Sequence, residues 1–112
     1  MQIPYPSLSR GFVLLAVPLA LVLASPVHAG DDSVFQANCA KCHGAAGDAD
    51  TAVGKAMNIP SFVGSAWAEA EPEAICEKVR SVPQHRAFLK KLDAEQLAAA
   101  CHTVHELAEG GS

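Results

Sequence analysis

The chain has 112 residues, with eight Lys and Arg against twelve Asp and Glu, and a formal net charge of −4 at neutral pH. This length suits a single domain, and the acidic balance argues against nucleic acid and anionic membrane surfaces as partners. The charge suits a basic protein partner, or none in particular.

The N-terminal segment predicts a cleaved secretory signal peptide over residues 1–29. Arg10 supplies a positive charge, residues 12–24 form an uninterrupted apolar run, and residues 27–29 offer a small-residue cleavage site. A membrane-spanning helix needs roughly 20 apolar residues, and this run is shorter. We therefore expect a periplasmic domain over residues 30–112, with no membrane attachment after cleavage.

The first half of that domain predicts short helices joined by loops. Asp31, Asp32 and Ser33 can cap a helix at about Val34–Cys42. Glycine, alanine and aspartate at 44–50 indicate a loop. A helical turn over Thr51–Met57 and a short helix within 62–71 are expected to follow.

The second half predicts two longer helices. One begins at Glu71 and Pro72 and ends at Pro83. Residues 84–91 are expected to be a connecting segment. The last helix starts with Asp93 as N-cap in a capping-box pattern, and its apolar face is formed by Leu97, Cys101, Val104 and Ala108. No period-two strand pattern occurs, which indicates an all-α class.

The motif Cys39-Ala40-Lys41-Cys42-His43 is the attachment signature of a c-type haem. Two thiols on one helical turn can each form a thioether with the porphyrin, and the next side chain lies under the iron. A zinc site would need a second ligand pair, but the other two cysteines are solitary. A thioredoxin-like site would need strands around the motif. The motif predicts one covalent haem c on Cys39 and Cys42, with His43 as an axial ligand.

Four segments in this order resemble the small class I cytochromes c of bacteria: residues 35–44, 59–62, 73–79 and 91–97. The resemblance implies a fold of three to five helices around one haem. It also implies an electron carrier and not an enzyme, with redox proteins as partners, either as a monomer or as a subunit of a redox complex. The family places a proline carbonyl on the ring N–H of the first histidine, and Pro60 is the matching residue.

The sequence departs from that family at the second axial ligand. The family usually has a Met-Pro-x-Phe stretch before its terminal helix, whereas this chain has His85-Arg86-Ala87-Phe88. The match at Phe88 puts His85 on the methionine position, and a neutral imidazole is a good iron ligand. Met57 is an alternative ligand, and an open or water-bound iron is another. Two imidazoles predict a lower redox potential than a histidine–methionine pair.

Further residues are expected near the haem. Trp67 is expected to line it or to donate its indole N–H to a propionate, with simple core packing as the alternative. Phe88 is expected to pack against the porphyrin. Cys76 and Cys101 are expected to form a disulfide in an exported protein, or else to be two buried thiols.

The sequence therefore predicts a periplasmic electron carrier, and two alternatives remain open. One is a haem subunit permanently docked to a dehydrogenase or oxidase. The other is a haem-based ligand sensor or peroxidase-like protein with an open distal site.

Overall fold

The computed structural model describes residues 31–110 and, outside that range, only Gln2. The predicted signal peptide at 1–29 therefore lies, apart from Gln2, outside the described residues. None of the described helices combines the length and the apolar character needed to cross a membrane. The described part has helices and no strand, as expected for the all-α class. Its helices are α1 (Ser33–Asn38), α2 (Ala40–His43), α3 (Ala52–Ala56), α4 (Pro72–Ser81), α5 (Arg86–Leu89) and α6 (Ala94–Ala108), with 3₁₀ turns at Ala66–Glu69 and Pro83–His85.

Helices α1 and α2 follow one another across a single residue, Cys39. The Cys39 amide donates to the Phe35 carbonyl at 2.7 Å, and the His43 amide donates to the Cys39 carbonyl at 3.0 Å. The helical hydrogen bonds thus continue through the break, where Cys39 has a φ of −113°. The helix predicted at about Val34–Cys42 is therefore present as two short helices with a break at Cys39, the first cysteine of the motif.

Helix α3 packs tightly against the end of α2. Thr51 caps α3, since its hydroxyl accepts from the Gly54 amide at 2.8 Å and donates to the Cys42 carbonyl at 3.0 Å. A Cβ on the buried Gly54 would lie 2.7 Å from the Cys42 carbonyl oxygen. Only glycine permits so close a backbone approach. Asn58, with a φ of 53°, ends α3 and turns the chain toward Pro60.

The two long helices begin as predicted. Pro72 occupies the first turn of α4. The Asp93 side chain accepts from the Gln96 amide at 2.8 Å, and the Gln96 side chain accepts from the Asp93 amide at 2.9 Å, which completes the capping box of α6. The predicted connecting segment at 84–91 is itself partly helical, however. Pro83 starts a 3₁₀ turn because it has no N–H to satisfy, and α5 follows directly.

The core lies where α6 packs against α1, α4 and the turn at Ala66–Glu69. The predicted apolar face of α6 is buried. A disulfide joins Cys76 in α4 to Cys101 in α6, with their Cα atoms 5.5 Å apart. This bond fixes the two longest helices to each other. The buried cluster consists of Phe35, Ile75, Cys76, Leu97, Cys101 and Val104.

Candidate cofactor-binding site

One cavity of about 520 Å³ opens between the helices, within the usual size of a cofactor pocket. Its wall is mostly apolar and includes every residue that the sequence assigned to the haem. The α1–α2 helix contributes the motif, the chain after α3 contributes Pro60, and the segment after α4 contributes His85. The predicted site residues in the wall are Cys39, Cys42, His43, Met57, Pro60, Trp67, His85 and Phe88.

The two motif thiols are half-buried, and neither belongs to a disulfide. Burial, and secondarily the neighbouring Cys42, raises the pKa of the Cys39 thiol to about 11. The thiol is therefore protonated at neutral pH. Reactive Cys-x-x-Cys pairs instead have a lowered thiol pKa. The environment of Cys39 thus argues against a thiol–disulfide exchange site, the alternative chemistry for this spacing.

His43 ends α2 and is held in the cavity wall by stacking. Its ring lies on that of Phe62, with centroids 4.7 Å apart and an interplanar angle of 20°. Burial, and secondarily the proximity of His85, lowers the pKa of His43. The neutral imidazole is the form that binds a metal. The buried Nδ1 atom of His43 has no hydrogen-bond partner among the described residues.

His85 is oriented by a main-chain carbonyl. Its Nδ1 atom lies 2.8 Å from the carbonyl oxygen of Val79, in the last turn of α4. A carbonyl can only accept, so Nδ1 carries a proton, and in the neutral imidazole Nε2 is then the nitrogen with the lone pair. Histidines that bind metals commonly have the second ring nitrogen tied to a carbonyl in this way. His85 is therefore prepared to act as a ligand through Nε2.

The two imidazoles lie at a distance from each other that one bridging metal could span. Their ring centroids are 6.1 Å apart, with an interplanar angle of 57°. Metal–imidazole bonds of about 2.0–2.1 Å on opposite sides of an ion, with the offset from nitrogen to centroid, place the centroids roughly 6 Å apart. The spacing of His43 and His85 therefore fits a haem iron with two histidine ligands.

The remaining predicted residues line the cavity and differ in how far their side chains are exposed to solvent. Met57 and Phe88 are 51% and 38% exposed and lie at its mouth. Trp67 packs against the buried cluster as well as lining the cavity. Pro60 is an exposed wall residue, and no hydrogen bond joins it to His43. The carbonyl role of Pro60 and the indole role of Trp67 stay predictions.

Two contacts of the site were missed by the sequence analysis. The stacking of Phe62 on His43 could have been suspected, because Phe62 belongs to a segment that resembles the family. The Val79 carbonyl could not, because every residue has a carbonyl and no residue type marks this one. Only the way the chain turns after α4 brings this acceptor to His85.

The charge around the cavity differs from that of the whole chain. Residues 78–92 contain five basic residues and no carboxylate, and all five basic side chains are exposed. The rest of the described chain carries two lysines and twelve carboxylates. The same segment lines the cavity through Lys78, Val79, Val82, Gln84, His85, Phe88, Leu89 and Leu92. The segment bordering this side of the cavity is therefore basic in an otherwise acidic protein.

Comparison with protein-family models, with curated proteins and with solved structures found no match to this chain. Within residues 31–110, no group of three or more His, Cys, Asp or Glu is arranged to hold a metal ion. A bare ion needs such a group, whereas a porphyrin brings its own in-plane ligands and requires only axial ones. His43 and His85 could supply two such axial ligands.

Proposed function

We propose that this chain is a periplasmic c-type cytochrome that carries single electrons. Cys39 and Cys42 hold one haem covalently, and His43 and His85 are its two axial ligands. One observation carries the proposal: two imidazoles, with ring centroids 6.1 Å apart, line a cavity that both motif thiols also border. A haem bound there would supply one-electron exchange between ferric and ferrous iron.

The chain's own residues have three tasks in this function. The motif thiols anchor the cofactor to the α1–α2 helix, which itself packs on α6. The Val79 carbonyl and the Phe62 ring orient the two imidazoles. The apolar wall, with buried residues such as Leu97 and Val104, keeps water from the iron.

The ligand sensor with an open distal site is less well supported. Such a site needs the distal side chain to be absent or easily displaced, yet His85 is held at its Nδ1 by the Val79 carbonyl at 2.8 Å. Filled axial positions also keep substrates away from the metal, which favours a carrier over a peroxidase-like enzyme.

The position of the basic segment favours an acidic redox partner at the cavity mouth. Opposite charges raise the rate of encounter, and the exposed Phe88 adds apolar contact area. The overall charge of the chain would instead suit a basic partner, so the two charge patterns favour different partners. A free carrier and a docked subunit would differ in the hydrodynamic size of the native particle.

The test is expression of the full chain in a bacterium that attaches haem c. We expect a red protein whose haem stays with the polypeptide after denaturation, as read by mass spectrometry and haem absorption. Its low-temperature magnetic resonance spectrum should show low-spin iron with two imidazoles. The control, Cys39→Ser with Cys42→Ser, should carry no covalent haem. An exported wild-type chain that is folded and colourless would refute the proposal.

A further inference from the structure

The hydrogen bond that orients His85 depends on where α4 ends. Val79 lies in the last turn of α4, and within the main chain its carbonyl accepts a long bond from the Val82 amide, at 3.4 Å. Such a carbonyl carries the negative end of the helix dipole and is a good acceptor for an imidazole N–H. The position of α4 along the core therefore decides whether the Val79 carbonyl reaches His85.

Helix α4 has only ten residues, and a helix of this length is not stable alone in water. It is held by burial of Ile75 and Cys76 and by the disulfide from Cys76 to Cys101. Cys76 is three residues before Val79, so the covalent link lies about one helical turn from the carbonyl. Cys101 itself lines the same cavity as His85.

We propose that the Cys76–Cys101 disulfide is a positioning element for the distal ligand. It fixes the last turn of α4 against α6, so that the Val79 carbonyl holds the His85 imidazole by its Nδ1 in the wall of the cavity. This inference rests on the proposed haem function, since it assigns His85 to the iron. It goes further in giving the disulfide a role in ligand retention that is separate from its contribution to folding.

The test uses the holoprotein and two disulfide-free variants. Cys76→Ala with Cys101→Ala removes the bond, and Cys76→Val with Cys101→Ala removes it while restoring much of the buried volume. The matched control is Asp93→Ala, which destabilises the start of α6 but leaves the disulfide and α4 intact. The readout is the rate at which carbon monoxide binds the ferrous protein, because binding requires His85 to leave.

We expect carbon monoxide to bind about five- to tenfold faster in both disulfide-free variants, corresponding to the loss of one orienting hydrogen bond. The ferric spectrum should gain a high-spin component. The Asp93→Ala control should match the wild type in both measurements. A similar acceleration in that control would assign the effect to general loosening and overturn the inference.

Two further outcomes separate this inference from the proposed function. Wild-type rates in a haem-loaded, disulfide-free variant would overturn the positioning role and leave the cytochrome intact. If both disulfide-free variants fail to take up haem while Asp93→Ala loads normally, the disulfide serves folding alone. That result would also overturn the positioning role. A wild-type chain without haem would remove both proposals together.

Discussion

Removing the Cys76–Cys101 disulfide should cost a substantial share of this small domain's stability. The two cysteines are 25 residues apart in sequence. For a closed loop of that length, the chain-entropy relation gives about 3.5 kcal/mol at 25 °C. A domain of this size has a total unfolding free energy of about 5–15 kcal/mol. The loss therefore corresponds to a fall in Tm of roughly 15–25 °C.

The measurement is urea unfolding followed by far-ultraviolet circular dichroism, comparing the wild type with Cys76→Ala plus Cys101→Ala. Each protein should unfold in a single cooperative transition, and the urea concentration at the midpoint should be well below the wild-type value for the variant. The volume-restoring pair, Cys76→Val with Cys101→Ala, controls for lost packing of the buried sulfur atoms. A difference below about 1 kcal/mol for that pair would refute the loop-closure reasoning.

Three further changes test other parts of the structure. Gly54→Ala should destabilise the protein by about 1–3 kcal/mol in urea unfolding, because its Cβ would meet backbone oxygen atoms; unchanged stability would contradict the tight packing of α2 and α3. His85→Met should raise the midpoint potential by on the order of 0.1 V in a redox titration, and an equal or lower value would count against His85 as ligand. Arg86→Glu with Lys90→Glu should slow electron transfer with an acidic redox protein about tenfold at low salt, whereas Lys55→Glu should have a smaller effect; a loss that persists at high salt would exclude steering.

Much of the secondary structure followed from local residue chemistry. The capping box of Asp93 and the proline at the start of α4 act within one helical turn, so the sequence pattern is enough to predict them. The segment at 84–91 was predicted as a connection because it is short and follows Pro83. Its helical turns depend on main-chain bonds such as that from the His85 amide to the Val82 carbonyl, at 3.0 Å.

The candidate site likewise has parts that the sequence predicted and parts that only the structure shows. The motif from Cys39 to His43 is contiguous, so its spacing alone predicted which residues would lie together. His85 was placed by resemblance, and the structure brings its ring to 6.1 Å from that of His43. The overall negative charge, by contrast, does not show how charge is distributed, because a sum over the chain cannot reveal that the basic side chains of residues 78–92 adjoin the cavity.

The amino-acid sequence determined the chemistry that is available: two thiols and a histidine on one turn, a second histidine farther along, and two more cysteines. These features are visible in the sequence because they consist of particular residue types at particular spacings. The tertiary structure decided which carbonyl orients His85, which ring stacks on His43 and which helices the disulfide joins. These contacts connect segments that are distant in sequence or involve main-chain atoms common to all residues, so only the packing of the helices specifies them.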